Sequence, residues 1–382
     1  MGKICLQSFA VFSRHIMLMK DIRIKYIYNL DDIKDEWLQL EKQAVLYYFQ
    51  SFLWLSQWYY NIGKNRRSYP LIVAVYNNQT IIALFPFCIE RHYGIFRVLT
   101  WMGGKLADYN APVFSNLLSE DERENICVMV TKELCRLKHI DVLLFLKIPE
   151  HLDDGAINPM NHTGIIALCT HPEDYLYAPY IILKDWESVY MRVNTRIRSV
   201  SSKFRRRLTD MGTIKFRIAE TLHEVEETTK VMISQKAECL SGKVKVNSFK
   251  NNDYINFYVN TGIKAFEEGY LHLSRLKLND QTIATHWGIL FNNRLYWLSP
   301  SFDGNYRTNG PGRLLLEELI RKCCDANVKC FDFCLGDEPY KSHWTDNKMI
   351  LYRYLKPLTL KGFLFDKIYR EVRPLLKRIN PI

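Results

Sequence analysis

The sequence lacks several patterns, and each absence excludes a class of protein. Its ten cysteines (Cys5, Cys88, Cys127, Cys135, Cys169, Cys239, Cys323, Cys324, Cys330 and Cys334) include no C-x-x-C pair. That scatter argues against a zinc ribbon or a disulfide frame, and suits separate buried thiols in a reducing compartment. The apolar first twenty residues are broken by Arg14 and His15 and precede no small-residue cleavage site, so neither a secretory leader nor a spanning helix is expected. No metal-ligand cluster, G-x-S-x-G elbow or Walker loop occurs, which sets hydrolase and kinase chemistry aside and leaves no metal expected. A cytoplasmic protein is the reading that fits.

What is present is apolar and basic. Hydrophobic residues make up 48% and aromatics 13% of 382 residues, enough for large cores and, at this length, two domains. Lys and Arg total 52 against 41 Asp and Glu, a net charge of +11. Such a surface favours nucleic acid, a phosphate-bearing cofactor or the inner membrane face, without choosing among them.

Periodicity gives the same order of elements twice. The first pass runs strand 22–27, helices near 30–42 and 50–62, a hairpin turning at Asn77-Asn78, strand "FRVLTWMG", helix 121–137 and strand "IDVLLFLKI". The second runs strand 213–220, helices 222–240 and 252–268, and a hairpin turning at Asn279-Asp280. Strand 294–302, helix 312–326, strand "KCFDFCL" and strand "MILYRYLK" complete it. The expected class is α/β with mixed sheets, as two tandem βααβββαβ domains at 20–170 and 181–357 and a basic tail at 358–382.

Two basic segments stand out. From Trp186 to Met211 apolar residues recur every three or four positions, which predicts one long helix, capped by Asp185 and ended by Gly212. Its other face carries Arg192, Arg196, Arg198, Lys203, Arg205, Arg206 and Arg207, either solvated or set against an anionic ligand. The tail 360–379 predicts an amphipathic helix with Phe365, Ile368, Val372, Leu375 and Ile379 on one face, kinked or split at Pro374. It would dock on its own domain or lie peripherally on an anionic membrane.

The stretch "NYRTNGPGRLLLEELI" (305–320) places Gly310, Pro311 and Gly312 directly ahead of an apolar helical stripe. A helix start has unpaired N–H groups and a partial positive charge, so a glycine-rich mouth suits an anion; a plain strand-to-helix turn is the alternative. Arg307, Gly310 and Gly312 match the R-x-x-G-x-G/A pyrophosphate loop, and with the strand order they make the chain resemble the GNAT acetyltransferase superfamily. "FDFCLGDEPYKSHW" (331–344) is similar to a segment of the CelD-like acetyltransferases, a group related to the Fem-type aminoacyl transferases with two fused GNAT units. The early segments "SQWYYN", "ALFPF" and "WMGGKLADYNAPVF" look like the N-terminal half of that group, so the resemblance spans roughly 20–357.

The resemblance implies one cofactor site, in the second half, for acetyl-CoA or another acyl-CoA as co-substrate. Arg307, Asn309, Gly310, Gly312 and Arg313 would hold the pyrophosphate, with Lys341 on a phosphate or an anionic acceptor. The first half lacks the R-x-x-G-x-G pattern and would serve as scaffold and acceptor wall, with Asp108 and Tyr109 either substrate-binding or packed. Acyl transfer needs a group to take the acceptor's proton and a donor for the leaving thiolate. Asp332 sits in an otherwise apolar strand, opposite Phe331 and Phe333, where a carboxylate is costly without a role or a partner. His286 lies within an apolar strand, as a base or a hydrogen-bonded core histidine. Glu338 and Tyr340 follow the fifth strand as further candidates, whereas His343 and Trp344 read as packing.

The lead reading is acyl-CoA-dependent transfer to a sugar amine or hydroxyl during surface-polysaccharide or cell-envelope synthesis. Alternatives are a Fem-type transferase fed by aminoacyl-tRNA, and a non-catalytic GNAT pair that serves envelope assembly or binding. Nucleic acid is not the expected partner in the lead reading.

Overall fold

The computed structural model describes residues 21–162, 175–242, 244 and 246–379. The first twenty residues, where the leader question arose, lie outside that set, as do Cys5 and Cys169. The chain forms two compact units. The first comprises residues to Tyr59, Gly63–Tyr175 and Tyr352–Arg373; the second comprises Tyr60–Ile62, Leu176–Leu351 and the residues from Pro374.

In the first unit the strands are β1 (Ile22–Ile27), β2 (Ala44–Val45), β3 (Tyr69–Asn77), β4 (Thr80–His92), β5 (Phe96–Trp101), β6 (Val113–Ser115) and β7 (Val142–Pro149). The main sheet runs β1-β3-β4-β5-β7, antiparallel except for the β5–β7 pair. The β3–β4 turn works as expected, because Asn78 adopts the left-handed conformation (φ 56°) that asparagine tolerates. Helices α1 (Lys34–Glu41), α2 (Phe52–Trp58) and α3 (Glu120–Cys135) accompany the sheet. Ser119 and Glu122 form a reciprocal capping box at the start of α3. Strands this apolar form a core around Val73, Phe85, Phe87, Leu143 and Phe145.

The second unit opens with β8 (Leu176–Ile182), a strand the sequence reading did not anticipate, because Pro179 counts against one. Its helices begin with a correction. The predicted single helix over 185–212 is two: α4 (Trp186–Arg192) and α5 (Thr195–Met211). Val193 turns extended (ψ 129°), and the Asn194 side chain caps the new start by accepting from Arg196 N–H (2.8 Å).

The sheet continues with β9 (Ile214–Ile218), β10 (Leu271–Leu278), β11 (Gln281–Phe291), β12 (Arg294–Phe302) and β13 (Cys330–Asp332), in the order β8-β13-β12-β11-β10-β9. Helices α6 (Leu222–Leu240), α7 (Asn252–Glu267) and α8 (Pro311–Asp325) connect them. The decisive feature is β12 against β13. They pair in parallel for only three residues, ending at Tyr296 opposite Asp332, and the chain beyond is free to part.

The last strand, β14 (Lys348–Pro357), pairs with β8 through Lys348–Leu351 in the second unit. From Tyr352 onward the chain belongs to the first unit, where Tyr354 and Leu355 enter the core. By its contacts the chain passes from the second unit to the first between Leu351 and Tyr352. Helix α9 (Leu360–Ile379) is continuous across Pro374, so the predicted split does not occur.

Candidate functional site

Where β12 and β13 stop pairing, the second unit holds a cavity of about 250 Å³. Tyr190, Val193, Ile197 and Ser201 of α4 and α5 form one wall. Trp297, Pro300 and Phe302 of β12 form another, and the mouth of α8 with Tyr340, His343 and Trp344 closes the rest. Arg307, Gly310, Gly312 and Arg313, expected to bind one ligand, line this single space together.

The mouth of α8 is electropositive for three separate reasons. Gly310 is left-handed (φ 60°) and Pro311 takes the first helical position, so the N-terminal end of α8, with its partial positive charge, lines the cavity. The amides of Arg313 and Leu314 bond back to the Gly310 carbonyl (3.1 and 3.3 Å), which leaves the Gly312 N–H unpaired among the described residues. Arg313 Nη1 is buried and likewise has no partner among the described residues, and Arg307 adds a second guanidinium to the lining. A cation in the first turn of a helix works against the macrodipole, so Arg313 does not stabilise α8 by charge. Glu317 also faces the cavity; Arg205 binds its Oε1 (3.3 Å) together with Glu318 (2.7 Å), while its buried Oε2 has no partner among the described residues.

Gly310 has a structural duty as well. A methyl there would fall 2.3 Å from the Phe204 ring, whereas at Gly312 the nearest atom is Phe302 Cδ1 at 3.3 Å. Asn309 belongs to the same loop but does not line the cavity, and its amide nitrogen is 3.7 Å from Met211 Sδ.

Tyr340 reaches the cavity with its hydroxyl fixed. Trp297 Nε1 donates to it (3.1 Å), which occupies an oxygen lone pair and leaves the O–H free to donate. Burial, followed by the charge of Glu338, pushes its pKa up, so the proton stays on at neutral pH.

The other expected residues lie in the surrounding structure. Asp332 is fully buried and held by Arg294 (3.0 Å) and the Cys334 N–H (2.8 Å); it has the partner that its position demands and does not line the cavity. His286 is fully buried beneath Trp297, ring on ring at 4.2 Å and 13°, and burial holds its pKa well below the ordinary value, with His272 and Lys236 adding to the effect. Lys341, 3% exposed, donates to the carbonyls of Cys334, Leu335 and Gly336 (3.4, 3.1 and 3.3 Å) and pairs with Glu338 (2.7 Å). Its ammonium ties the 334–338 loop and is not offered to a phosphate.

In the first unit Tyr109 is buried against Tyr47 (4.7 Å) and Phe49 (5.7 Å), and Asp108 is 3.6 Å from Lys147 Nζ. His343 and Trp344, read from sequence as packing, do line the cavity; a helical turn over Lys341–His343 brings His343 to the same side as Tyr340. Burial and the nearby Arg313 charge lower the His343 pKa.

Residues 195–342, which contain the loop, the cavity mouth and Tyr340, match the model of the acetyltransferase (GNAT) domain. Within the second unit, residues 195–342 therefore have the GNAT fold. Among solved structures, FemX superposes on 91% of this chain and 99% of its own, with a TM-score of 0.56 and 10% identity. A Bacteroides thetaiotaomicron protein of unknown function covers 89% and 100%, with a TM-score of 0.50 and 11% identity. The C-terminal domain of a protein assigned as a lysylphosphatidylglycerol synthetase, from Agrobacterium fabrum, covers 89% and 98%, with a TM-score of 0.52 and 8% identity. At such identities the likeness is one of fold: the chain has the tandem-GNAT, Fem-related architecture. No curated protein matches the sequence significantly. The activity that the matched domain model names is acetyl transfer.

Proposed function

We propose that the GNAT domain binds an acyl-CoA, acetyl-CoA in the first instance, and passes the acyl group to an amine or hydroxyl of a sugar or envelope-precursor acceptor. The observation that carries this reading is the convergence of donors at the α8 mouth: a free Gly312 amide, an unpartnered buried Arg313 nitrogen, Arg307 and the helix dipole. A pyrophosphate satisfies all of them at once. The apolar wall of Ile197, Trp297 and Leu316 suits the pantetheine arm.

In the reaction the acceptor nitrogen or oxygen bonds to the acyl carbon, the carbon–sulfur bond breaks, and the acceptor's own proton passes to solvent water. The departing thiolate takes a proton from a side chain that water then reprotonates. Tyr340 is our assignment for that proton, on the strength of its free O–H. Asp332, His286 and Glu338, first considered for proton transfer, are assigned to supporting the wall and the 334–338 loop. Asp108 and Tyr109 are assigned to holding the first unit together, through Lys147 (3.6 Å) and the Tyr47 and Phe49 rings. The acceptor class, and with it a place in surface-polysaccharide or envelope synthesis, rests on family likeness.

The test is calorimetry with acetyl-CoA and CoA, followed by thiol release against a panel of amine and hydroxyl acceptors. Folded protein that fails to bind CoA would sink the reading. A second reading, an aminoacyl-tRNA donor, is favoured by one feature: Arg192, Arg196, Lys203, Arg206 and Arg207 are exposed along α4 and α5. Turnover that requires charged tRNA and ignores CoA would establish it instead. A folded chain that binds CoA but turns over with neither donor would leave a non-catalytic GNAT pair.

A further inference from the structure

Helix α9 has two apolar faces in its described part, and only one is covered. Its start is fixed to the first unit: Thr359 Oγ1 donates to Asp141 Oδ1 (2.9 Å) and accepts from the Gly362 N–H (3.2 Å). At Gly362 the helix backbone comes so close to the Asp141 carbonyl that a methyl would fall 2.0 Å from its oxygen. One turn on, Phe365 is fully buried against Phe96 (5.3 Å) and Tyr369 (5.6 Å), within a cluster that includes Val98, Val142 and Leu355. Ile368 packs on the same cluster. Phe365 and Ile368 belong to the face that sequence periodicity singled out, and they are docked; the side chains of Val372, Leu375 and Ile379 lie outside the described residues.

The other face carries Leu360 (89% exposed), Phe363 (61%) and Leu364 (52%). The β4–β5 hairpin tip, whose Tyr93 ring is 6.4 Å from Phe365 on the docked side of the helix, exposes Tyr93 (62%) and Ile95 (58%) as well. A loose tail would not hold this arrangement. Five large apolar side chains stand out from backbone anchored by a cap, a glycine contact and a buried ring. Arg91, Lys361, Lys367 and Arg370 are exposed around them, and Asp366 is taken up by Arg370 (2.7 Å). Over 360–379 the sequence has Lys361, Lys367, Arg370, Arg373, Lys377 and Arg378 against Asp366 and Glu371.

We propose that this face of the first unit docks peripherally on an anionic phospholipid surface. The rings and aliphatic chains would enter the headgroup boundary while the cations pair with lipid phosphates. A second copy of the chain would bring like charges together around the same patch, which argues against self-association. Docking needs no spanning segment, and among the described residues no helix is long and apolar enough to cross a membrane.

The experiment is flotation of the full-length protein with phosphatidylglycerol-containing vesicles and with pure phosphatidylcholine vesicles, at low and physiological salt. Binding is expected only to the anionic vesicles, and weaker with salt. The Phe363→Ser/Leu364→Ser double variant should lose most of it. Lys361→Gln/Lys367→Gln should lower partitioning roughly 30-fold, from the usual contribution of a cation at such a surface. Both variants should melt like wild type, because the replaced side chains are exposed. The proposal fails if nothing floats, if neutral vesicles bind as well, or if the variants float equally. It fails too if Phe363→Ser/Leu364→Ser dissolves a concentration-dependent dimer, since a second copy would then be what covers the patch. None of these outcomes bears on CoA binding, which calorimetry reads separately.

Discussion

Replacing Arg313 with methionine separates a ligand-binding residue from a structural one by the sign of two measurements. The side chain keeps its length and most of its packing but loses the guanidinium, whose Nη1 is buried without a partner among the described residues. In the unliganded protein that group costs stability, because a buried donor without a partner forfeits its hydration, typically about 1–3 kcal/mol. Its place in the first turn of α8 adds a small dipole penalty. Arg313→Met should therefore leave the unliganded protein as stable as wild type or more so. CoA affinity should move the other way. A hydrogen bond to a charged group is typically worth about 1.5–3 kcal/mol, so the dissociation constant should rise roughly 10- to 150-fold. Chemical denaturation without ligand and calorimetry with CoA give the two signs on one preparation. A destabilised variant with unchanged CoA affinity would refute the reasoning and make Arg313 a structural residue.

Gly312→Val should also weaken CoA binding in a folded protein, because the added side chain crowds the Gly312 amide, with Phe302 only 3.3 Å from its first carbon; calorimetry checks it. Tyr340→Phe should cut kcat on the order of 10²-fold with CoA affinity near wild type, as steady-state thiol release would show; unchanged kcat would remove Tyr340 from the chemistry. Asp332→Asn should chiefly unfold the protein, at about 3–5 kcal/mol for breaking a buried pair, and denaturant titration reads this; wild-type stability with low kcat would return the carboxylate to catalysis. Acid should destabilise the fold through its neutral histidines. The pKa of His272 is pushed down to about 4 and that of His286 lies well below 6.5, in both mainly by burial. Their contribution is complete above the unfolded value near 6.5 and is lost as pH falls toward the folded values, at up to about 1.4 kcal/mol per pH unit for each. Denaturation midpoints at pH 7 and 5 should differ less in His272→Gln than in wild type.

What could be read from sequence was whatever a local rule determines. Turns at Asn78 and Asn279 were legible because both residues take a left-handed conformation that asparagine accepts (φ 56° and 54°). The α8 mouth was legible because glycine, proline and arginine at fixed spacing have local consequences. Partners distant in sequence were not. Arg294 meets Asp332 only after the chain has formed α8 and returned, so an isolated carboxylate in an apolar strand read as chemistry. Lys341 looked like a free cation because three backbone carbonyls leave no trace in a side-chain pattern. The break at Val193–Asn194 was hidden because the apolar period continues through it, although Asn194 followed by Thr195 is a capping signal in its own right. His343 read as packing because its place in the cavity lining follows from a single helical turn over Lys341–His343.

Gly362 shows how a stabilising edit can mislead. Inside a helix glycine is about 1 kcal/mol worse than alanine, so a protein engineer raising helix propensity along α9 would replace it first. The carbonyl of Asp141 occupies the space that the new methyl would need, and helix and carbonyl would have to separate. Separation would loosen the Thr359–Asp141 bond and draw Phe365 out of its cluster, so the edit would gain a better helix and lose its seat. Helicity by circular dichroism would rise or hold while the melting temperature fell. At this position intrinsic propensity and tertiary fit pull in opposite directions, and consensus or propensity scoring on the helix alone would choose the wrong residue.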